Sequence, residues 1–353
     1  MTVNISKPSI NIREKLAELD KPSGIAGEAV LRADSVQEIR NSIGAGRKNL
    51  IINGGMNVWQ RGTTASQAGQ TAYISADRWL TYIDTSSTVW LSKVDFTKGQ
   101  TEVEGNPESY AKFDWLGTGS TALKVLEQRV ENVIPVSGVP ITLSFYARTE
   151  QADDVEIKFI QDHGVSGSAQ VYTTGGTIDC TTSWKKFTKT ITLTSLAGKT
   201  VNAGSYLKVG LWSQGTLNSY IEIAQVQLEL GSVATDFEHR SYGEELALCQ
   251  RYFVKFKSAG LVYNTYSTTQ GYLQIPLPVA MRGHPTVSWD TVDRIALASS
   301  SNINTNITYW ASYSAYPTSF YTFQARSSTS LTAGLSYVVF PTNAPYVSLS
   351  AEL

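Results

Sequence analysis

The chain has 353 residues, enough for two or three domains, and a formal net charge of -1. That balance leaves no electrostatic footprint for nucleic acid or an anionic membrane surface. Charged residues make up only 17 % of a sequence rich in Gly, Ser, Thr and Tyr, which favours a mainly β protein with many turns over a helical one.

Residues 1–48 differ from the rest of the chain. Ile12, Leu16 and Leu19 recur at helical spacing, with Asn11 and Glu14 as a cap pair and Pro22 as a stop. Ile39 and Ile43 share a second face, opened by Ser35 and Glu38 and closed by Gly44. Helices this short are not stable alone in water. Their apolar stripes need a surface, either on the chain's own β-domain or on a partner or symmetry mate. The first residues, MTVNISKPSINIREK, lack the apolar stretch of a signal peptide. No apolar run reaches the length of a membrane-spanning helix, so no membrane insertion is expected.

From Asn49 to about Arg240 the pattern has period two. In 139-VPITLSFYARTE-150, Ile141, Leu143 and Phe145 point one way, and Thr142, Ser144 and Tyr146 the other. The same alternation runs through 155–161, 187–195, 205–213 and 220–230. Turn clusters such as Ser137-Gly138 and Thr174-Gly175-Gly176 separate the runs. Strands at this spacing predict an antiparallel sandwich or jelly roll. The stretch 50-LIINGGMNVWQRGTT-64 fits as an early strand, with Asn53-Gly54-Gly55 as a bulge or a close backbone approach and Trp59 as a core or near-core anchor. Arg61 is placed to hydrogen-bond across strands or to the segment Asp77-Arg78-Trp79. Trp90, Trp115, Trp184 and Trp212 lie within or beside strands and are expected in the core.

A second boundary falls near residue 241. Glu244 to Arg251 reads as one short helix burying Leu246, Cys249 and Tyr252, after which β pattern resumes at Phe253. Between Ala296 and Leu353 the only charged residues are Arg326 and Glu352. So little charge predicts a surface buried between subunits, or a polar uncharged face. Cys180 and Cys249 are far apart and are expected as buried thiols, which places folding in a reducing cytoplasm.

The residues of catalysis are sparse. His163, His239 and His284 lie in different regions, without a Cys or His at metal-ligand spacing. There is no G-x-S-x-G elbow. The run 44-GAGRKN-49 starts like a dinucleotide fingerprint but ends in Asn49, outside any βαβ unit. Asp153-Asp154 reads as a solvated turn. No enzyme activity, cofactor or metal is expected. Hydrolysis of a glycoside would need two carboxylates across a cleft, with Asp95, Glu102, Glu104, Asp114, Asp162 and Glu229 as candidates.

The aromatics carry more. Residues 309–323 hold Tyr309, Trp310, Tyr313, Tyr316 and Tyr321, with Phe320 and Phe323 between. Aromatic faces stack on the apolar faces of sugar rings, and tyrosine adds a hydroxyl. The five Tyr and Trp residues are therefore candidates for ligand contact, with core or subunit interface as the alternative.

Three pieces resemble bacteriophage tail-fibre and related virion proteins: 49-NLIINGGMNVWQRGTT-64, 73-YISADRWL-80 and 225-QVQLELGSVATDFEHRSYGEELALCQRYF-253. The run from Val226 to Glu238 is similar to the last strand of carbohydrate-binding jelly-roll modules, and 272–289 looks like the C-terminal β-domain of such phage proteins. The resemblance implies a homotrimeric fibre in the virion, folded in the host cytoplasm. Its N-terminus would attach to tail or baseplate proteins through Ile12, Leu16, Leu19, Ile39 and Ile43, and its C-terminal region would recognise a host-surface glycan. It also implies three parts: a helical attachment arm at 1–48, a jelly-roll sandwich at 49–240 and a C-terminal β-domain at 241–353. Some modules of this kind hold a structural calcium, for which Glu229 or Asp236 would be the ligands here. A purely structural baseplate or capsid-decorating part is the rival reading, and a depolymerising tailspike the third.

Overall fold

The computed structural model describes residues 48–353, apart from residues 70, 84–86, 118–122, 151–152, 215–218, 258–260, 290–294, 299–301, 305–306, 313–319, 328–329 and 342–345. The arm helices, with Ile12, Leu16, Leu19, Ile39 and Ile43, lie outside the described residues.

The chain is mainly β and antiparallel. Its first strands are β1 (Thr64–Ala68), β2 (Thr71–Ala72), β3 (Leu80–Ile83), β4 (Ser87–Asp95), β5 (Ser109–Gly117) and β6 (Leu123–Glu131). They continue as β7 (Pro140–Thr149), β8 (Asp153–Asp162), β9 (Val171–Cys180), β10 (Lys185–Thr192), β11 (Tyr206–Gln214) and β12 (Ser219–Leu230). These make two six-stranded sheets, ordered β1-β4-β5-β12-β7-β10 and β2-β3-β6-β11-β8-β9. The side chains of the two inner faces interdigitate, as expected for a sandwich. Ile141, Leu143 and Phe145 meet Ile157, Phe159, Leu207 and Leu211 in one buried cluster.

A helix, α1 (Tyr242–Gln250), succeeds the sandwich. After it come β13 (Phe253–Lys257), β14 (Val262–Thr265), β15 (Gln270–Pro276), β16 (Thr286–Trp289) and β17 (Ile295–Ala298). The last strands are β18 (Asn302–Asn304), β19 (Ile307–Ser312), β20 (Phe320–Ser327), β21 (Ser336–Pro341) and β22 (Tyr346–Ser350). They form a three-stranded sheet, β13-β22-β16, and a seven-stranded sheet, β18-β17-β21-β14-β15-β20-β19. A second apolar cluster, including Val254, Tyr263, Leu273, Tyr337 and Leu349, serves these sheets.

Several local expectations are corrected. The stretch 50–63 is not a strand but a chain of bends and turns. Asn53 and Met56 hold left-handed backbone, with φ of 58° and 54°, which a strand does not allow. Asn53 holds the turn together. Its Oδ1 accepts from the backbone N–H of Asn57 and Val58, each at 2.9 Å, and its Nδ2 donates to the carbonyls of Val58 and Asp77. Asp153 and Asp154 open β8, paired with Cys180 and Asp179, and do not form a turn.

Helix α1 opens two residues earlier than the expected Glu244, on a capping box between Ser241 and Glu244. Cys249 and Tyr252 are buried, but Leu246 is only half-buried. Glu245 takes the inner position, because its carboxylate accepts from the Asn53 N–H and from Arg240. Both cysteines are buried thiols, outside any disulfide. Of the four tryptophans expected in the core, Trp115 is there. Trp184 is half-buried against an outer-face cluster and Trp212 is half-buried over Gly210, whose missing Cβ leaves room for the indole. Trp90 is 45 % exposed.

Candidate functional site

The outer face of the first sheet is where the alternation of β7 stops behaving as a solvated surface. Ser144 and Tyr146 point outward there, yet they are 4 % and 6 % exposed. Two pieces of chain cover them. The segment between β4 and β5 lays Val103 against Tyr110, Tyr146 and Ala224. The segment after β12 brings Phe237 and His239 alongside. A groove remains between the two, lined by Glu104, Tyr146, Lys186, Asp236, Phe237 and His239, with a volume of about 420 Å³. A second hollow of about 430 Å³ adjoins it beyond Gly105, sharing Gln225, Phe237 and His239.

An irregularity in β12 shapes the floor. Its register on β7 shifts between Ala224 and Gln227, and Gln225 takes a φ of 51°. The bulge turns Gln225 under the covering loop, where its Nε2 donates to the Glu104 carbonyl at 2.8 Å. Pairing of β12 with β5 ends at Ile223. Beyond the bulge, residues 49–54 take over that edge. Leu50 N–H donates to the Leu228 carbonyl and Val226 N–H to the Gly54 carbonyl, both at 2.9 Å. Gly54 is required by close approach: a Cβ there would sit 2.0 Å from the Val226 carbonyl oxygen. Gly105, with φ of 74°, lies at the saddle between the hollows, where a Cβ would meet His239 Nε2 at 2.9 Å.

The groove presents rings and hydrogen-bonding groups together. Phe237 and His239 meet edge to face, with centroids 5.2 Å apart. Glu104 accepts from the Tyr146 hydroxyl and from Lys186 Nζ, the latter at 3.4 Å. The Tyr146 hydroxyl first, then Lys186, hold the Glu104 carboxyl below the usual carboxylate range. Burial, reinforced by the Glu104 hydrogen bond, pushes the Tyr146 phenol up. Glu104 is therefore an ionised acceptor at neutral pH.

The residues weighed for calcium lie beside this groove. Glu229 accepts from Thr235 N–H at 3.0 Å and from Thr235 Oγ1. Lys48 Nζ donates to Thr235 Oγ1 at 2.6 Å and to the Asp236 carbonyl. The lysine ammonium thus sits against Thr235 Oγ1 and the main-chain carbonyl of Asp236. Among the described residues, no three His, Cys, Asp or Glu side chains gather to hold a metal.

Of the aromatic candidates in the C-terminal region, Tyr309 and Trp310 lie on β19 and Tyr321 on β20. The register of β19 on β20 shifts between Tyr309 and Ala311, so Trp310 is the bulged residue. The side chains of these three, and all of Tyr313 and Tyr316, lie outside the described residues. The sequence reading missed His239, Phe237, Tyr146 and Lys186 as a group, although Glu104 was among its carboxylates. One signal was readable. Inward apolar positions of β12 run Ile221, Ile223, Val226, Leu228, and the step from 223 to 226 is three where a regular strand takes two.

No protein-family model matches the chain, and no curated protein matches it. Among solved structures, the chain is similar to the enzymatically active domain of tailspike protein 4 from bacteriophage CBA120. That likeness has 10 % identity and a TM-score of 0.31, covering 52 % of this chain and 21 % of that one. The chain therefore spans about a fifth of the tailspike structure. It is also similar to a family 61 carbohydrate-binding module in complex with β-1,4-galactotriose, at 14 % identity and a TM-score of 0.30, covering 52 % of this chain and 100 % of that one. A third likeness is to the family 11 carbohydrate-binding module of Clostridium thermocellum in complex with a mixed-linked tetrasaccharide, at 11 % identity and a TM-score of 0.31, covering 49 % of this chain and 98 % of that one. The sheets themselves, through their order and register, define the fold as an antiparallel sandwich succeeded by further β-sheets.

Proposed function

We propose that this chain is a glycan-binding structural protein of a phage tail fibre, and that the groove on the first sheet holds the sugar. The observation that carries the reading is the convergence of Tyr146, Phe237 and His239 with Glu104, Lys186 and Asp236 around one groove. Sugars offer apolar ring faces and hydroxyl edges, and this lining matches both. Lys186 is already engaged by Glu104, and Asp236 adds a negative charge at the rim. That balance favours a neutral chain over an acidic one.

Binding without turnover is part of the proposal. A general acid for glycoside cleavage needs a raised pKa, whereas Glu104 is held low. The virion setting, the homotrimer and tail attachment through residues 1–48 rest on the sequence resemblance alone. Adsorption of the purified chain to host cells tests the setting, alongside its mass in solution. A trimer that coats cells and competes with phage supports the fibre reading. A monomer that leaves adsorption unchanged removes it.

A further inference from the structure

Trp90 is exposed in mid-strand, and its surroundings are chemically specific. Across the outer face of the first sheet, Trp90 on β4 stands opposite Asp114 on β5, which stands opposite Tyr220 on β12. The row is therefore Trp, Asp, Tyr at strand spacing, which puts the two rings about 10 Å apart. Lys112, two residues along β5, pairs with Asp114 at 3.2 Å and lies 4.0 Å from the Tyr220 ring centroid. Leu116, 48 % exposed, flanks the row on the other side.

This is a poor seat for a protein. A stable protein interface has a contiguous apolar centre with charge displaced to the rim, and here a Lys–Asp pair stands between the two rings. A polyhydroxylated chain fits the same surface well. Its ring faces lie on the indole while its hydroxyls donate to Asp114 and accept from Lys112. About 10 Å is also the span of two successive pyranose rings in an extended chain, so alternate sugars meet Trp90 and Tyr220.

The patch is separate from the groove. Four residues of β12, about 13 Å, divide Tyr220 from Ala224, the neighbour of the groove-lining Gln225, and three strand spacings, about 14 Å, divide β4 from β7. Phe96, Tyr110 and Trp184 pack together over the face between them, with centroids 4.7 to 5.4 Å apart. We infer that Trp90, with Asp114, Lys112 and Tyr220, forms a second contact site for a neutral, extended glycan, lying on the same sheet face as the groove. The inference takes its ligand class from the proposed function. Two weak sites on one face reinforce each other on a polysaccharide and act separately on short sugars.

The test is native affinity electrophoresis of the full chain in gels cast with neutral mixed-linkage β-glucan, xylan or galactan. Wild type is run beside Trp90→Ala, Trp90→Phe and the groove variant Glu104→Ala/His239→Ala. The expected result is that Trp90→Ala weakens retardation about threefold to tenfold on the retarding polysaccharide, Trp90→Phe retains most of it, and short oligomers of the same sugar still bind Trp90→Ala, through the groove. Retardation of Trp90→Ala equal to wild type overturns the second site and leaves the groove standing. A groove variant that behaves as wild type while Trp90→Ala loses retardation removes the groove reading and keeps this one. Wild type unretarded in all three gels overturns both.

Discussion

Arg61 donates from Nη2 to Glu352 Oε1 at 3.0 Å, joining residues 291 apart in sequence. Arg78, 1 % exposed, pairs with the other oxygen of the same carboxylate. The guanidinium of Arg61 lies 3.5 Å from the Phe253 ring centroid and that of Arg78 lies 3.6 Å from the Tyr252 centroid. The end of the chain is thereby fastened to the sandwich by one carboxylate shared between two stacked arginines. The Gln-Arg-Gly run in the stretch 50–64 belongs to this joint, and not to a ligand site. Gln60 also reaches across it, donating to the Phe253 carbonyl at 2.8 Å.

Removing that carboxylate takes from the buried Arg78 its carboxylate partner and leaves Arg61 with Asp77 alone, 3.6 Å away. Glu352→Ala is expected to cost about 3–5 kcal/mol in chemical denaturation. Glu352→Gln, which keeps the shape and one acceptor, should cost less. A melting curve for Glu352→Ala that matches wild type would show that the apolar contacts of the C-terminal sheets suffice without the pair.

Asp77 makes the joint sensitive to pH. Burial pushes its carboxyl up to about 6 from the ordinary 3.8, against the opposing pull of Arg61 and the Gln60 hydrogen bonds. A carboxyl raised in the folded state binds its proton more tightly there than in the unfolded chain. Its contribution grows as pH falls from about 6 towards 4 and is lost as pH rises through that window. Asp77→Asn abolishes the titration. Between pH 7 and pH 4 the stability of wild type relative to this variant should rise by up to about 3 kcal/mol. Urea denaturation at both values measures it, and a constant difference would contradict the assignment.

Asn53 is the keystone of the turn beside the groove. Its side chain makes four hydrogen bonds to backbone in a fully buried site. Asn53→Ala loses all four and places alanine at a positive φ, so a loss of about 4 kcal/mol or more is expected. Thermal unfolding reads this directly. A shift no larger than that of a surface substitution would mean that water replaces the amide.

The regular strands were legible because their side chains alternate. Ile141, Leu143 and Phe145 all face the core, as their spacing requires. The burial of the opposite face of β7 was not readable, since nothing in residues 139–150 records that Val103, Phe237 and His239 fold back over it. The groove was illegible for the same reason. Glu104 comes from a loop, Tyr146 from β7, Lys186 from β10 and His239 from beyond β12, and only the tertiary fold brings them together. The turn at 50–63 was mistaken for a strand because its apolar residues fit a strand, while its left-handed backbone at Asn53 and Met56 is set by side-chain hydrogen bonds and tight contacts. Trp90 shows the limit of a composition rule, as a tryptophan in a strand that faces outward.

The most direct test of the account is a calorimetric titration of the full chain with neutral β-linked oligosaccharides, set beside Glu104→Ala/His239→Ala. The groove predicts saturable binding by wild type that the double variant weakens by about tenfold or more, as loss of a charged hydrogen-bond partner and a ring contact requires. Equal binding by the two proteins would place the sugar elsewhere and contradict the assignment of the groove.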